Sequence, residues 1–476
     1  PELIFIIFLP PLLFEAAFAA SWKELWKLRR IVTNFAFVVV FLTAISVALV
    51  TNAIIPGFSL ALGFVLGGIV SPPDAVSAQA ILKIVKVQKN VATLLEGESL
   101  FNDASSLIIF RFAMVVVATG QFIWWEASLS FLWMVIGGVG IGLAIAYIFM
   151  KIHKIFPTDV NMDTILTIIA PYFMYIFAEE VHSSGVLSVV SGGLFLSVRR
   201  YDFLQSSQSR IMGANVWQGF AFLINGIVFL IIGLDLPEIM EGIIRYEGIS
   251  LGDAFYYGML VTFVLIVVRF LASYATVFVT LFMRKYIKVA EPNPHKKMPI
   301  LIGWTGMRGV ISLAMALSIP VYMDNGELFP HRDLILFITF VVILATLIIQ
   351  GLTLPFLIKY LKLPRISNND LSHEEAERIL RNGMSEVAIE HLKKYNQNDC
   401  KKENVYIKNL LDRWEKEDNE GEVLQLKKRA KLVLLETLEK QREWLLKENR
   451  INPKMDEEVV RHYLLKLDLE EERLRM

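Results

Sequence analysis

Residues 96–103 read Glu-Gly-Glu-Ser-Leu-Phe-Asn-Asp and lead into an apolar run over 104–119 that only Arg111 interrupts. Acidic side chains are costly at membrane depth and are kept there for a task. Asp103 is the acid best placed for one. Burial disfavours a carboxylate's charged form and a bound cation favours it, so one such group can hold either H+ or Na+. Competition of that kind is exchange. Ser99 lies one helical turn before Asp103 and can present its hydroxyl on the same face. Asp103 and Ser99 are therefore the candidate Na+ ligands. Asn102 is uncharged and can brace a neighbouring helix. The alternative for Asp103 is a structural carboxylate, paired within the bundle with Arg111.

These residues need a membrane to sit in, and the composition supplies one. The 476-residue chain is 55% hydrophobic, with a mean hydropathy of +0.51. Its apolar residues come in blocks of roughly 20, enough to span about 30 Å of hydrocarbon. Eleven spanning segments are expected, at about 1–20, 31–55, 58–82, 98–119, 128–150, 162–180, 183–198, 213–236, 254–283, 299–322 and 333–360. Formal charge is zero, so no basic excess points to nucleic acid. The single cysteine, Cys400, excludes an intramolecular disulfide. Pro1–Ala20 already reads as a span without a basic flank, so the chain is expected to begin inside a longer protein.

Loop charge tests the count, because Lys and Arg gather on the cytoplasmic side. Every second loop is basic: Lys23, Lys27, Arg29 and Arg30; Lys83, Lys86 and Lys89; Lys151 and Lys154; Arg199, Arg200 and Arg210; Arg284, Lys285, Lys288, Lys296 and Lys297. The alternate loops hold Arg245 and Arg332 beside acids such as Asp235, Glu238 and Glu327. This alternation starts the first segment outside and leaves the carboxyl end in the cytoplasm of a multi-pass cell-membrane protein. The basic loops can also hold anionic lipid headgroups.

Two segments are interrupted. The third carries Ser71-Pro72-Pro73-Asp74, and adjacent prolines preclude a continuous helix. The tenth carries Gly303-Trp304-Thr305-Gly306-Met307-Arg308-Gly309. Broken helices in corresponding positions of two halves mark the site in inverted-repeat transporters. These two are seven segments apart, an odd offset that makes them run oppositely. Hard cations want oxygen ligands, so Ser71 and the carbonyls around Pro72 and Pro73 are plausible co-ligands. Asp74 reads as a cap for the half-helix starting at its own position. Glu98 and Arg308 would each be costly unpaired and are expected to pair, linking the two breaks. Glu15, after Pro10-Pro11, either approaches the site through water or lies at the cytoplasmic interface. The role of Arg269 is open. Glu179, Glu180 and His182 are expected to be solvated, as is Glu96.

From about Leu363 the composition turns rich in Glu, Lys, Arg and Leu, with helical spacing at Leu424, Leu426, Leu432, Leu435 and Leu438. Ser372 with Glu375, and Asn452-Pro453, suggest helix starts. The division is thus a transmembrane domain, 1–362, and a cytoplasmic helical tail, 363–476, with a regulatory or assembly role and an unidentified ligand.

Taken in order, these motifs resemble the monovalent cation:proton antiporters of the sodium/proton exchanger type, and a bacterial member in particular. The 96–103 octapeptide looks like their Asn-Asp motif, and Pro10-Pro11-Leu12-Leu13-Phe14-Glu15 like their early Pro-Pro-x-x-x-Glu/Asp helix. Residues 303–309 are similar to their Trp-x-Gly-x-Arg-Gly segment, and Gly226–Leu234 also looks like the family. The resemblance spans about 1–360. It implies an all-α, thirteen-helix antiporter fold with inverted repeats and two broken helices. The first two helices would then precede Pro1. It further implies a homodimer with dimerisation and core domains that moves by elevator-like alternating access. In that frame Asp103 and Ser99 bind the ion, Glu98 and Arg308 form a structural pair, and Glu15 approaches the site. Asn102, where electrogenic relatives carry an acid, implies electroneutral exchange. One departure is that many members read Thr-Asp-Pro where this chain has Ser71-Pro72-Pro73-Asp74. Two residues turn a side chain roughly 200° around a helix, so Asp74 does not inherit that acid's place.

The expected activity is Na+ or Li+ exchange for H+, driven by an existing gradient, with no cofactor and no enzymatic chemistry. A K+/H+ antiporter uses the same residues. A gated channel would need a continuous pore. An intramembrane hydrolase at Ser183-Ser184-Gly185 beside His182 lacks a second acid–base set at depth.

Overall fold

The computed structural model describes residues 2–74, 89–121, 124–156, 159–247, 249–283, 295, 297–323, 326–361, 373–398 and 422–475. It is all-helical among those residues, apart from one isolated bridge between Tyr322 and Leu328. Two compact units emerge. The first comprises Pro1–Phe203 and Gly213–Arg365; the second comprises Leu204–Met212 and Ile366–Met476.

In the first unit, α1 is Glu2–Ala19, with Pro10 and Pro11 inside it. Next comes α2, Trp22–Ile54. Its first turns are charged and are capped by Ser21, whose hydroxyl accepts the Glu24 amide at 3.3 Å. Further along it contains a π-helical turn, Asn34–Val39. α3, Leu60–Val70, ends at the Ser71–Asp74 break. Following it are α4 (Lys89–Thr119), α5 (Trp124–Ile155), α6 (Val160–Glu180) and α7 (Gly185–Val198). α8 (Ser207–Gly242) begins in the second unit and runs into the first, and α9 is Leu251–Met283. The second interrupted segment is α10 (Met298–Trp304), an irregular stretch over 305–309, and α11 (Val310–Leu317). α12, Arg332–Leu361, contains a second π-helical turn, Thr346–Gln350.

Each of the eleven expected spans thus contains helix among the described residues. The distal half of the third span and the basic residues Lys83, Lys86, Arg284, Lys285, Lys288 and Lys296 lie outside the described residues, as do Cys400 and Ser372. Among the described residues, seven helices are long and apolar enough to cross a membrane, including α4, α8 and α9. Large apolar side chains cover the outside, including Leu129, Phe222, Phe263, Phe278 and Phe356, while Glu98, Asn102, Asp103, Arg269 and Arg308 are buried. That inversion of the water-soluble pattern identifies a multi-pass membrane protein whose polar groups face the bundle interior.

Close backbone approach assembles the interior. A Cβ at Gly67 would come within 2.6 Å of the Ala44 carbonyl, so α3 lies directly on α2. Small residues allow such contact where lipid supplies no hydrophobic drive between helices. A buried apolar cluster joins Leu28, Val32 and Phe35 of α2 to Leu94 and Leu95 of α4, Leu301 of α10 and Leu354 of α12. His153 at the end of α5 meets Asp163 near the start of α6 at 2.8 Å, both buried.

The second unit contains α13 (His373–Asn398), α14 (Glu422–Ile451) and α15 (Glu457–Arg475), joined by the Leu204–Met212 segment. α15 starts after Asp456, whose carboxylate accepts the Glu458 amide at 2.8 Å, a few residues beyond Asn452-Pro453. Two buried arginines bind its buried acids. Arg210 reaches Asp468 at 2.6 Å, and Arg442 reaches Asp468 at 3.0 Å and Glu471 at 2.6 Å.

Candidate functional site

Pro72 and Pro73 carry no N–H and break the ladder of the third segment, which strands carbonyls inside the protein. The second interrupted segment and α4 supply the missing partners. The Arg308 guanidinium donates to the Ser71 carbonyl. The Asp74 amide donates to the Met307 carbonyl at 2.7 Å. Asn102 Nδ2 donates to the Pro73 carbonyl at 3.3 Å. The two breaks therefore cross and satisfy one another. At Gly309 the approach is so close that a Cβ there would overlap the Asp74 carboxyl group.

Beside this crossing lies a cavity of about 470 Å³. It is lined by Glu15 of α1, by Pro72, Pro73 and Asp74, and by Glu96, Ser99 and Asp103 of α4. Gln218 and Asn225 of α8, with Ser312 of α11, complete its polar lining. Asp103 is 5% exposed, and no cation pairs with its carboxylate among the described residues. A carboxylate so placed can accept either a proton or a small cation.

Several expectations change. Glu98 pairs with Arg269 rather than Arg308: Arg269 Nη1 lies 2.5 Å from Oε1 and Nη2 2.9 Å from Oε2. Arg269 also donates from Nε to the Ile302 carbonyl at 3.1 Å, so it ties α9 to both α4 and α10. The bidentate geometry matches a guanidinium to a carboxylate, and the near-complete burial of both groups makes the pairing obligatory. Arg308 instead donates to the Ser71 carbonyl at the crossing. Arg111 binds Glu179 at 2.8 Å, which removes it as the alternative partner of Asp103. Glu179 is therefore not simply solvated; it also accepts the Gly185 amide at 3.0 Å.

Ser71 is buried, but it is not among the residues lining the cavity; its hydroxyl donates to the Gly68 carbonyl at 3.3 Å. The helix that Asp74 was expected to cap lies outside the described residues, and its carboxylate stands instead at Gly309, the N-cap position of α11. That placement puts negative charge at the positive end of a helix dipole. Glu96 was expected to face solvent and lines the cavity. The sequence reading missed Gln218, Asn225 and Ser312. A signal existed: Gln218 and Asn225 are seven residues apart, two turns on one face, and Ser312 is the lone polar side chain in Val-Ile-Ser-Leu-Ala-Met-Ala-Leu.

A family model described as sodium/hydrogen exchanger, transmembrane, matches residues 1–360. The sodium, potassium, lithium and rubidium/H(+) antiporter of Bacillus subtilis (strain 168) is 35% identical over 366 residues, which cover 75% of this chain and 54% of that protein. This chain thus spans about half the length of that relative. The Na(+)/H(+) antiporter NhaH of Halobacillus dabanensis is 31% identical over 364 residues, covering 75% of this chain and 83% of the relative. The backbone is similar to that of the sodium proton antiporter MjNhaP1 from Methanocaldococcus jannaschii, with a TM-score of 0.57 and 16% identity, over 74% of this chain and 83% of that one. At that identity the likeness concerns the fold.

Proposed function

Because the chain belongs to the sodium/hydrogen exchanger family, we propose that it exchanges Na+ or Li+ for H+ across the cell membrane. The observation that carries this reading is the buried Asp103 carboxylate, which faces a cavity at the crossing of two interrupted helices with no cationic partner among the described residues. A channel is less well served by that arrangement, because one titrating group at a helix crossing suits a site exposed to one side at a time.

In the proposed cycle Asp103 loses its proton on the side where the cation loads, and the cation takes the carboxylate together with the Ser99 hydroxyl. The loaded site then opens to the other side, releases the cation and returns protonated. Glu15 and Glu96 line the approach and attract cations to it. Asn102 adds no charge, so one cation exchanges for one proton. Ser71 contributes through its backbone, by fixing Arg308. The Glu98–Arg269 pair holds α4 in register. The tail is cytoplasmic and the working unit is a homodimer; cross-linking in native membranes tests the second point.

K+/H+ exchange is the second reading, and the name of the Bacillus subtilis relative, which includes potassium, favours it. Proteoliposomes with an imposed pH gradient separate the possibilities. Addition of Na+ or Li+ should collapse the gradient, and Asp103→Asn should abolish the response. A normal response in Asp103→Asn would overturn the site assignment. A larger response to K+ than to Na+ would favour the second reading. An initial rate that follows membrane potential would exclude one-for-one exchange.

A further inference from the structure

Ser312 has an unusual position. It lies in the first turn of α11, is 2% exposed, and lines the same cavity as Asp103 and Ser99. Its hydroxyl has no hydrogen-bond partner among the described residues. Buried serines elsewhere in the bundle use nearby carbonyls: Ser105 bonds Asn102 O at 2.9 Å, Ser106 bonds Asp103 O at 3.0 Å, and Ser188 bonds Met174 O at 2.7 Å. In a helix a serine usually finds the carbonyl four residues back. For Ser312 that carbonyl belongs to Arg308, in the irregular stretch before α11 begins, so the usual bond is not made. Ser273 shares the unpaired state but lines a separate, mainly apolar cavity with Leu28 and Phe35.

An unpaired buried hydroxyl is costly unless something else binds it. The remaining residues of α11 are apolar, so alanine would fill the position without that penalty. Small hard cations take hydroxyl and carboxylate oxygens, and the cavity already presents both from α4. The positive end of the α11 dipole would repel a cation, yet the Asp74 carboxylate stands at Gly309, three residues before Ser312, and offsets it.

We propose that Ser312 supplies a coordinating oxygen to the transported cation, so that the ion is held by α4 on one side and by the second interrupted segment on the other. This rests on the antiport reading above. It also places a ligand on the segment opposite Ser71, whose hydroxyl is already engaged.

The test compares wild type, Ser312→Ala, Ser312→Thr, Ser312→Cys and Asp103→Asn in proteoliposomes. Loss of one oxygen in Ser312→Ala should raise the half-saturating Na+ concentration about tenfold, equivalent to one weak ligand contact. Ser312→Thr keeps the oxygen and should stay within about twofold of wild type. Ser312→Cys is nearly isosteric but replaces a hard oxygen with a soft sulfur, and it should behave like Ser312→Ala. Na+-dependent thermal stabilisation of the purified protein supplies a readout independent of transport; it should weaken in the Ala and Cys variants and persist in Thr. If Ser312→Ala does not fold, the Cys and Thr variants decide. Wild-type Na+ dependence in Ser312→Cys, in both measurements, would overturn the proposal. An inactive Asp103→Asn alongside unaltered Ser312 variants would refute Ser312 alone, whereas an active Asp103→Asn would refute the antiport site itself.

Discussion

At the scale of single residues, two equally buried acids are distinguished by what each one meets. Asp103 and Glu98 sit five residues apart on α4, and both are almost fully buried. Glu98 meets a bidentate arginine; Asp103 meets a cavity. Removing one partner of a buried ion pair leaves an uncompensated charge and costs about 3–5 kcal/mol, whereas replacing both can be nearly neutral. Arg269→Leu should therefore lower the thermal unfolding temperature sharply, and Arg269→Leu with Glu98→Leu should recover much of the loss in a detergent-solubilised melt. Arg308→Leu should not be rescued by Glu98→Leu, because Arg308 serves the Ser71 carbonyl. Rescue of Arg308→Leu would instead restore the pairing expected from the sequence.

At the scale of elements, the site depends on two broken helices meeting at backbone distance. Gly309 is the contact point, because any side chain there runs into Asp74. Gly309→Ala should separate the two breaks and remove most of the Na+-dependent collapse of a pH gradient, with a smaller effect on expression. Gly226→Ala is a control for backbone freedom alone: open space surrounds that glycine. In a helix interior alanine is favoured over glycine by up to about 1 kcal/mol, so this variant should be neutral to mildly stabilising in a melt. Equal transport defects in the two variants would remove the special role assigned to Gly309.

At the scale of the whole molecule, α8 is shared between the two units. Its first residues carry Ser207 and Arg210, which bond Glu472 at 2.6 Å and Asp468 at 2.6 Å, while later residues line the cavity. Within the second unit burial acts to raise the pKa of Glu471, but hydrogen bonds from Arg442 and Arg475 and the charges of Arg442 and Arg210 outweigh it, and its carboxyl is held below the ordinary glutamate range. A carboxyl depressed in the folded state adds stability above its ordinary pKa, and that stability is lost as pH falls through the folded value. Glu471→Gln should therefore lower the unfolding temperature of the tail at neutral pH, and its deficit relative to wild type should shrink on acidification below the ordinary glutamate range. A deficit independent of pH would mean that packing, not charge, is what the substitution removes.

The helical segments and the candidate acid Asp103 were legible in the sequence because their signals are local. Span length, alternating loop charge, adjacent prolines and an Asn-Asp pair leading into an apolar run all lie within one turn or one segment. The partners were not legible. Whether Glu98 chooses Arg269 or Arg308, both buried arginines of plausible reach, depends on how α9 and the second interrupted segment stack against α4. Asp74 likewise has a companion that its own neighbours could not reveal: Gly309, more than 200 residues away. The same holds for Ser312, whose hydroxyl lacks a partner among the described residues because the helix begins two residues before it. The chain's chemistry is written in side-chain type and spacing. Its pairing is set by the crossing of two broken helices, because in a low-dielectric interior a charge or a freed carbonyl takes whichever partner the packing brings within about 3 Å.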